Sequence, residues 1–402
     1  MCQPYYDFLI VGAGLSGATL AERLAAKGKT VLIIDKRNHI GGNCYDYVDP
    51  ATSIRVSKYG THLFHTDDEE VWNYVNRFSE WTPFYNKVIT QINETTFVPV
   101  PATPETINVL CGTNLRIPQD AAAWLAANQI PLPPGAAPAN SEEVALSRVG
   151  RTLYETLFKP YTIKQWAKTP AQLAPEVLAR IPVRDSWDNR YFSDRYQALP
   201  TDGYTSLFTK MLAHPNITTL LGVSYESIAA TVQRGQVIFT GRIDQFFKEA
   251  GLPELEYRSL RFEERRIPTP SGGFAQRNSV VNYANGDIPY TRSIEYKWYP
   301  NCPVEGQRAE TSIVVYETSC DCSCSSSSSG GQEQQQQQQQ EQQQEPYYPV
   351  PSPENQALYE KYRALAAANS KVHFIGRLAS YKYFNMDQAI RAALDYFEKH
   401  FT

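Results

Sequence analysis

The chain has 402 residues, which is enough for two or three folding units around a large buried core. Its 38 basic and 42 acidic residues leave a formal net charge of −4, which argues against attraction to nucleic acid or to an anionic membrane through overall charge. An anionic substrate would need positive charge gathered at one site. The 26 tyrosines hint at a polar ligand, because each combines an apolar ring with a hydroxyl donor.

The sequence has no recognisable membrane or secretion signal. No apolar run approaches the roughly 18 residues of a membrane-spanning helix. The N-terminal segment MCQPYYDFLIVGAGLSG lacks the basic region of a signal peptide. The seven cysteines are odd in number and widely scattered, unlike a disulfide framework. We therefore expect a cytoplasmic protein.

The first 35 residues predict a β-α-β unit. The run YDFLIV is typical of a buried strand, GAGLSG of a glycine-rich turn, ATLAERLAAKG of a helix that ends at Gly28, and TVLIID of a second strand. This order is expected at the beginning of an α/β nucleotide-binding domain.

A dinucleotide-binding pattern lies inside this unit. Gly12, Gly14 and Gly17 form G-x-G-x-x-G, whose glycines allow a tight turn, a close backbone approach to a pyrophosphate, and close packing of helix on strand. Amides at the helix N-terminus would hold the phosphates. Asp35 ends the second strand, where its carboxylate can accept a hydrogen bond from a ribose 2′-hydroxyl.

The segment KRNHIGGN, which follows Asp35, favours FAD over NAD. A basic residue followed by a glycine pair lets the chain run close beneath an extended flavin dinucleotide. The alternative interpretation of Gly41 and Gly42 is an ordinary turn.

The middle of the chain changes from helical to strand-like patterns. Between residues 100 and 180, helical spacing is found in TPETINVL, PQDAAAWLAAN, SEEVALSRVGRTLYETLF and APEVLARI, with a proline-rich loop at 131–140. Between residues 237 and 320, strand-like alternation is found in QVIFTGRI, LEYRSLRFEERRI, YTRSIEYKW and TSIVVYETS.

Residues 319–345 form a low-complexity tract, SCDCSCSSSSSGGQEQQQQQQQEQQQE. Serine and glutamine runs bury too little apolar surface to offset chain entropy, so the tract predicts a disordered insertion. Its C-x-C-x-C spacing, without flanking histidines or a second cysteine pair, is a weak metal signal, and we predict no metal site.

Eight motifs together resemble one known family. In chain order they are VGAGLSGA, DKRNHIGGNCYD, KYGTHLFHT, YTIKQW, IPVRDSWDNRYFSDRYQALPTDGYT, YTRSIEY, EPYYPV and GRLASYKYFNMDQAI. The resemblance extends from residue 7 to about residue 398, leaving out the tract at 319–345. With these motifs the sequence resembles the UDP-galactopyranose mutases, flavoenzymes that interconvert UDP-galactopyranose and UDP-galactofuranose.

The resemblance implies an α/β (mixed α+β) fold, in which a Rossmann-like FAD-binding domain carries an inserted helical domain and a β-sheet domain. The FAD-binding domain would be discontinuous, with residues 1–85, 200–245 and 346–402. The other domains would be a helical domain at 100–180 and a β-sheet substrate domain at 86–99, 181–199 and 246–318.

The resemblance also implies a non-redox isomerisation that uses reduced FAD. In the family, flavin N5 attacks the anomeric carbon of the sugar and displaces UDP. The covalent flavin–sugar adduct opens to an iminium and recloses through another hydroxyl, and UDP then recaptures the sugar. The small-molecule partners would be UDP-galactose and UDP-galactofuranose, and we expect a homodimer.

A leaving diphosphate gains charge, so it needs fixed cations and hydroxyl donors around it. Arg180 and Arg292 match the family's two diphosphate arginines, whose forked guanidinium groups suit phosphate oxygens. The alternative for each is a solvated surface charge. The resemblance gives phosphate-binding roles to Tyr191, Tyr348 and Tyr383, for which the alternative is core packing.

Further substrate contacts follow from the resemblance. The residues expected to contact the nucleotide are Phe158, Tyr161, Thr162, Trp166 and Phe192. Tyr161 and Trp166 are candidates to stack on the uracil ring, and their spacing of five residues implies a loop or helix end. Asn86 is expected near the sugar.

The resemblance places the FAD contacts at both ends of the chain. They are expected at Gly12, Gly14, Leu15, Ser16, Gly17, Asp35, Lys36, Gly42, Asn43, His62, Gly376, Arg377, Tyr383, Asn385, Met386 and Ala389. Asn385 precedes the last predicted helix, where it can also cap that helix. Some relatives have aspartate at this position. Because asparagine has no carboxylate, we do not expect a catalytic carboxylate there in this chain.

His62 and His65 lie in the motif GTHLFHT. A lone histidine is more often a hydrogen-bonded structural residue than a catalyst. The resemblance, however, aligns His62 with a histidine that lies against the flavin. We therefore predict that His62 influences the position or electronics of the flavin rather than acting as a general base.

Two other functions are compatible with parts of the sequence. An FAD-dependent oxidoreductase of the amine-oxidase kind would share the N-terminal unit, but it predicts an apolar substrate tunnel without paired arginines. A non-enzymatic scaffold acting through the Ser/Gln tract would need no flavin site.

Overall fold

The computed structural model describes residues 4–321 and 345–402. The predicted low-complexity insertion therefore lies outside the described residues except at its two ends. At the first end, residues 319–321 continue a long strand into the segment that was assigned to the insertion.

Strands in the described part of the chain form four sheets and are numbered here in chain order. The five-stranded sheet contains, in spatial order, β10 (Ile217–Leu221), β2 (Val31–Asp35), β1 (Tyr5–Val11), β11 (Gln233–Phe239) and β17 (Val372–Phe374). The seven-stranded sheet contains β16 (Pro346–Pro349), β12 (Tyr257–Pro268), β15 (Thr311–Asp321), β14 (Arg292–Glu295), β13 (Val280–Tyr283), β7 (Val88–Gln91) and β8 (Phe97–Val100). The small sheets are β3 (Asp46–Val48) with β4 (Arg55–Ser57), and β5 (Phe64–Thr66) with β9 (Tyr196–Pro200) and β6 (Trp81–Pro83).

Helices connect and cover these sheets. The α-helices are Leu15–Ala26, Glu69–Val75, Pro104–Cys111, Pro118–Asn128, Ser141–Leu153, Lys159–Trp166, Glu176–Ala179, Tyr204–Met211, Tyr225–Ile228, Ile243–Phe246, Val304–Gln307, Pro353–Ala367 and Met386–Phe401. A π-helix covers Tyr154–Phe158, and 3₁₀-helices cover Gly42–Cys44, Pro170–Gln172, Lys248–Ala250, Pro270–Gly272 and Tyr296–Trp298. None of the helices in the described residues has the length and apolar character that crossing a membrane requires.

The five-stranded sheet confirms the predicted Rossmann-like unit. All of its strand pairs are parallel, and every residue of β2 is buried, as expected for a strand covered on both faces. The helix Leu15–Ala26 packs so closely on the end of β1 that a Cβ atom at Gly17 would lie 1.9 Å from the carbonyl oxygen of Gly12 and 3.3 Å from Ile10 Cγ2. The third glycine of the motif therefore has the packing role that the sequence predicted.

The last helix, Met386–Phe401, packs against Leu15–Ala26. Its buried face repeats at helical spacing, with Ile390, Ala393, Leu394 and Phe397 turned to the core. Asn385 is the N-cap residue, and its backbone N–H donates to Gln388 Oε1 at 3.0 Å. Asn385 therefore occupies the predicted cap position, and the hydrogen bond at the cap is accepted by the side chain of Gln388.

The seven-stranded sheet is mostly antiparallel. The long strands β12 and β15 pair along their length, and β14 continues the sheet on the other side of β15. In this register Arg292 of β14 lies opposite Glu317 of β15 and opposite Asn282 of β13. The sheet thus presents Arg292 between two polar neighbours.

Strand pairing crosses the predicted domain boundaries at two places. The strand β9, which was assigned to the β-sheet domain, pairs with β5 and β6 in a separate small sheet. The strand β16, which was assigned to the FAD-binding domain, pairs with β12 in the seven-stranded sheet. The predicted helices between residues 100 and 180 are present, and residues 131–140 form a loop between two of them.

Candidate active site

A cavity of about 400 Å³ lies beside the seven-stranded sheet. Its wall is formed by residues of β7, β13, β14 and β16, the helix Lys159–Trp166, and the segments 178–194 and 377–386. It brings together every residue that was predicted to contact substrate or to take part in catalysis: His62, Asn86, Phe158, Tyr161, Thr162, Trp166, Arg180, Tyr191, Phe192, Arg292, Tyr348 and Tyr383.

Three guanidinium groups face this cavity. Arg292 is half-buried, and its Nε donates to Glu317 Oε2 at 2.9 Å. Burial alone would lower the pKa of Arg292, but Glu317 and the hydroxyl of Tyr161 raise it well above its ordinary value. Arg292 is therefore a permanent cation whose two terminal nitrogens are not used by Glu317.

The guanidinium groups of Arg180 and Arg377 lie over the ring of a cavity tyrosine, Tyr383. The Arg180 guanidinium lies 4.4 Å from the centre of the Tyr383 ring, and that of Arg377 lies 5.3 Å from the same ring. The rings of Tyr348 and Tyr383 stack at 5.5 Å. Burial would raise the pKa of the Tyr383 hydroxyl, but Arg180 and Arg377 outweigh it and lower that pKa. Tyr383 is thus a stronger hydrogen-bond donor than an ordinary phenol.

The helix Lys159–Trp166 supplies the aromatic side of the cavity. Trp166 is its last residue, because Ala167 adopts a left-handed conformation with φ of 53°. This confirms the helix end implied by the spacing of Tyr161 and Trp166. The Trp166 ring lies 6.0 Å from that of Tyr348, so the aromatic wall joins the tyrosine pair.

Lys164 holds this helix to the sheet, a role that the sequence analysis missed. Its Nζ donates to the carbonyl oxygens of Tyr283, Asn285 and Tyr290 at 2.9, 2.6 and 3.1 Å. Burial lowers the pKa of Lys164 to about 8. The sequence offered one indication of a role for Lys164, its position inside the motif YTIKQW. Its three backbone partners lie more than a hundred residues away, so the sequence could not predict them.

His62 is adjacent to the arginines and is uncharged. Its Nδ1 lies 3.0 Å from the carbonyl oxygen of Gly60, which fixes the ring. Burial and the charge of Arg377 lower the pKa of His62 to about 4. Neutral His62 can offer one nitrogen to a bound group, but it brings no proton for general acid catalysis near pH 7.

His65 supports the segment that carries Tyr191 and Phe192. Its ring stacks on Phe192 at 3.7 Å, and its Nδ1 lies 3.1 Å from Asp194 Oδ2. The Tyr191 backbone N–H donates to the carbonyl oxygen of Asn86 at 2.7 Å. The side-chain oxygen of Asn86 is buried without a hydrogen-bond partner among the described residues. The sequence analysis had not given His65 or Asp194 a role.

The residues predicted to bind FAD divide into two groups. Arg377, Asn385 and Met386 line the cavity together with His62 and Tyr383. The remainder are at or near the glycine-rich turn: Gly12, Gly14, Leu15, Ser16, Gly17, Asp35, Lys36, Gly42, Asn43, Gly376 and Ala389, none of which lines the cavity.

The glycine-rich turn has the shape that a dinucleotide requires. A Cβ atom at Gly42 would lie 2.9 Å from Gly14 Cα, so two glycine segments approach each other backbone to backbone. A Cβ atom at Gly376 would lie 3.2 Å from Ser16 Oγ, which brings the C-terminal segment to the same place. Asp35 accepts hydrogen bonds from the N–H groups of Ala13 and Arg37, both at 2.9 Å, and thereby holds the turn. These residues fit the pyrophosphate of a flavin dinucleotide.

Comparison with known proteins finds relatives over nearly the whole chain. A family model described as UDP-galactopyranose mutase matches residues 156–383, and one described as NAD(P)-binding Rossmann-like domain matches residues 10–78. The chain is 36% identical over 393 residues to the dTDP-fucopyranose mutase of Escherichia coli, covering 96% of each chain. It is 31% identical over 407 residues to the UDP-galactopyranose mutase of Mycoplasma pneumoniae, covering 97% of this chain and 94% of that one.

Solved structures extend the likeness to the fold. A reduced UDP-galactopyranose mutase has a TM-score of 0.71 at 15% identity, covering 98% of this chain and 93% of that one. Cyclohexylamine oxidase from Brevibacterium oxydans has a TM-score of 0.55 at 14% identity, covering 98% of this chain and 99% of that one. At these identities the likeness shows a shared fold and no more.

Gly14→Ala should separate cofactor binding from folding. An added Cβ would have its nearest protein neighbour, Gly42 Cα, at an ordinary 3.7 Å, so the chain should fold. The same methyl group would stand where the backbone must approach a pyrophosphate. We expect flavin content, measured by absorbance of the purified protein, to fall at least about tenfold with an unchanged circular dichroism spectrum. Gly286→Ala, where an added Cβ meets nothing within 4 Å, should retain its flavin.

The low pKa of His62 should appear in the pH dependence of stability. The unfolded chain takes up a proton on His62 near pH 6.5, whereas the folded protein does so only near pH 4. This contribution to stability is therefore present above pH 6.5 and is lost as the pH falls toward 4. We expect the Tm of the wild type to fall more between pH 7 and pH 5 than that of His62→Gln. Parallel Tm curves would show that His62 is not held neutral.

Proposed function

The chain belongs to the UDP-galactopyranose mutase family, and we propose that it interconverts UDP-galactopyranose and UDP-galactofuranose with FAD in the reduced state. The observation that carries this proposal is the cavity wall, on which Arg180, Arg292 and Arg377 converge with a group of tyrosines. Such a wall suits a nucleoside diphosphate and disfavours the apolar amine or hydrocarbon that an oxidase of similar fold would take.

The diphosphate must be held, released and taken back during the reaction. Arg180 and Arg292 supply fixed positive charge for the oxygens that gain charge as the glycosidic bond breaks. Tyr191, Tyr348 and Tyr383 supply neutral donors, which bind the diphosphate without adding to the net positive charge of the cavity. The balance between the two kinds of group allows the nucleotide to leave the sugar and yet stay in the cavity.

The flavin, when bound, supplies a nucleophilic ring nitrogen that holds the sugar while the diphosphate is detached. The residues predicted to lie beside the flavin are His62, Arg377, Asn385 and Met386. Arg377 brings a positive charge to the side where a reduced, anionic flavin would lie, and neutral His62 can accept or donate one hydrogen bond there. We assign Asn86 to a hydroxyl group of the sugar, because its buried side-chain oxygen has no hydrogen-bond partner among the residues that the structure describes.

A second substrate pair is supported by one specific observation. The relative from Escherichia coli, at 36% identity, is a dTDP-fucopyranose mutase, and a probable UDP-galactopyranose mutase of Klebsiella pneumoniae is also 36% identical, over 96% of this chain. The two substrates share the diphosphate and differ in the nucleobase, in the pentose and at C6 of the hexose. Overall identity therefore does not choose between them.

The experiment that tests the function compares both substrate pairs. The purified protein is reduced with dithionite and incubated with UDP-galactofuranose or with dTDP-fucofuranose, and the pyranose product is measured by liquid chromatography. We expect UDP-galactopyranose to form with the higher kcat/KM. Conversion of neither sugar nucleotide, with flavin bound and reduced, would contradict the proposal, and faster conversion of the dTDP sugar would replace the substrate. Light scattering on the same sample tests the homodimer that we propose.

Arg292→Ala should lose nearly all turnover and keep the flavin. The change removes fixed charge at the departing diphosphate, and loss of one such donor typically costs about 100-fold to 1000-fold in kcat. The matched control is Arg265→Ala, because Arg265 lies on the same sheet, is half-exposed and pairs with Glu263 outside the cavity. Retention of most of the activity by Arg292→Ala would show that the diphosphate is bound elsewhere.

A further inference from the structure

Glu317 is a buried carboxylate directly behind the cavity. It has no exposed surface, and β15 places it opposite Arg292. Its Oε2 accepts the Nε proton of Arg292 at 2.9 Å, and its Oε1 has no hydrogen-bond partner among the described residues. An unpaired carboxylate oxygen in the interior is costly, so Glu317 lowers the stability of the fold.

The backbone is built to make room for this carboxylate. Gly60 has φ of +84°, and a Cβ atom there would lie 3.2 Å from Glu317 Oε2. The same glycine holds His62 Nδ1 through its carbonyl oxygen. Glu317 therefore lies between the arginine that faces the diphosphate and the turn that carries the histidine.

Arg292 is the one cavity arginine with a carboxylate partner in the part of the chain that the structure describes. Arg180 Nε donates to the carbonyl oxygen of Val177 at 3.3 Å, and Arg377 donates to the carbonyl oxygens of Tyr347 and Phe384 at 3.4 and 2.7 Å. These partners orient the two guanidinium groups and leave their full charge. Arg292 alone is both oriented and partly neutralised.

We propose that Glu317 is a positioning residue that aims Arg292 at the diphosphate and limits how tightly the nucleotide is held. The bond to Nε directs the two terminal nitrogens of Arg292 away from Glu317. The negative charge of Glu317 offsets one of three positive charges, so that the nucleotide is not trapped once it has left the sugar. The inference rests on the proposed function only in that the cavity must bind a nucleoside diphosphate.

Glu317→Gln separates charge from shape. Glutamine keeps an acceptor for Arg292 Nε and removes the negative charge, so that Arg292 gains its counter-charge only when a diphosphate arrives. We expect the Kd of UDP, measured by calorimetry on the oxidised flavin-bound protein, to fall about tenfold, with a lower kcat in the reduced enzyme. Glu317→Asp retains the charge, and its Kd for UDP should stay within about threefold of the wild type.

The matched control is Glu295→Gln. Glu295 is as buried as Glu317 and lies on β14, three residues after Arg292. Unlike Glu317, it accepts hydrogen bonds from the N–H groups of Ala275 and Gln276 and from the hydroxyl of Ser312. Its loss should lower the Tm and leave the Kd of UDP unchanged.

The possible outcomes separate the inference from the proposed function. Failure of the wild type to bind UDP would contradict the proposed function itself. Binding by the wild type with an unchanged or higher Kd in Glu317→Gln would overturn the inference, and so would equal tightening in Glu317→Asp. Loss of flavin from Glu317→Gln but not from Glu295→Gln would also overturn it, because Glu317 would then serve the fold rather than Arg292.

Discussion

Three guanidinium groups face one cavity, and the repulsion among them is the constraint on which the site depends. Arg292 is held by the carboxylate of Glu317, whereas Arg180 and Arg377 are both held by backbone carbonyl oxygens and by the ring of Tyr383. Cation–π contacts and carbonyl bonds fix direction without cancelling charge. The uncompensated part of the charge is therefore available to bind a diphosphate.

The same charges set the protonation of their neighbours. Arg377 helps to keep His62 neutral, and Arg180 with Arg377 lowers the pKa of the Tyr383 hydroxyl against the effect of burial. Burial and the nearby Tyr383 and Glu317 raise the pKa of Tyr348 to about 12, although Arg292 works in the opposite direction. The positive charges of the cavity therefore act on the tyrosine hydroxyls as well as on His62.

The sequence predicted what depends on local order. The glycine turn, β2 ending at Asp35, the helix end at Trp166 and the cap at Asn385 each follow from residues close together in the chain, and each is present. The resemblance selected residues far apart that now line one cavity. Glu317, Lys164 and the stack of His65 on Phe192 were missed, because strand register and carbonyls more than a hundred residues distant bring them into place. The strands β9 and β16 pair across the predicted domain boundaries for the same reason, because the pairing of a strand depends on its neighbours in the folded sheet.

The fold alone would not have separated an isomerase from an oxidase. Cyclohexylamine oxidase shares the architecture over nearly the whole chain, so the fold by itself is compatible with either kind of enzyme. The difference lies in the wall opposite the cofactor. An oxidase needs a site that admits an electron-rich substrate and releases a neutral or cationic product, for which three arginines in one cavity would be unfavourable. A mutase needs an anion that departs and returns, and here the strand pair β14 and β15 places a cation and its partial counter-charge at that wall.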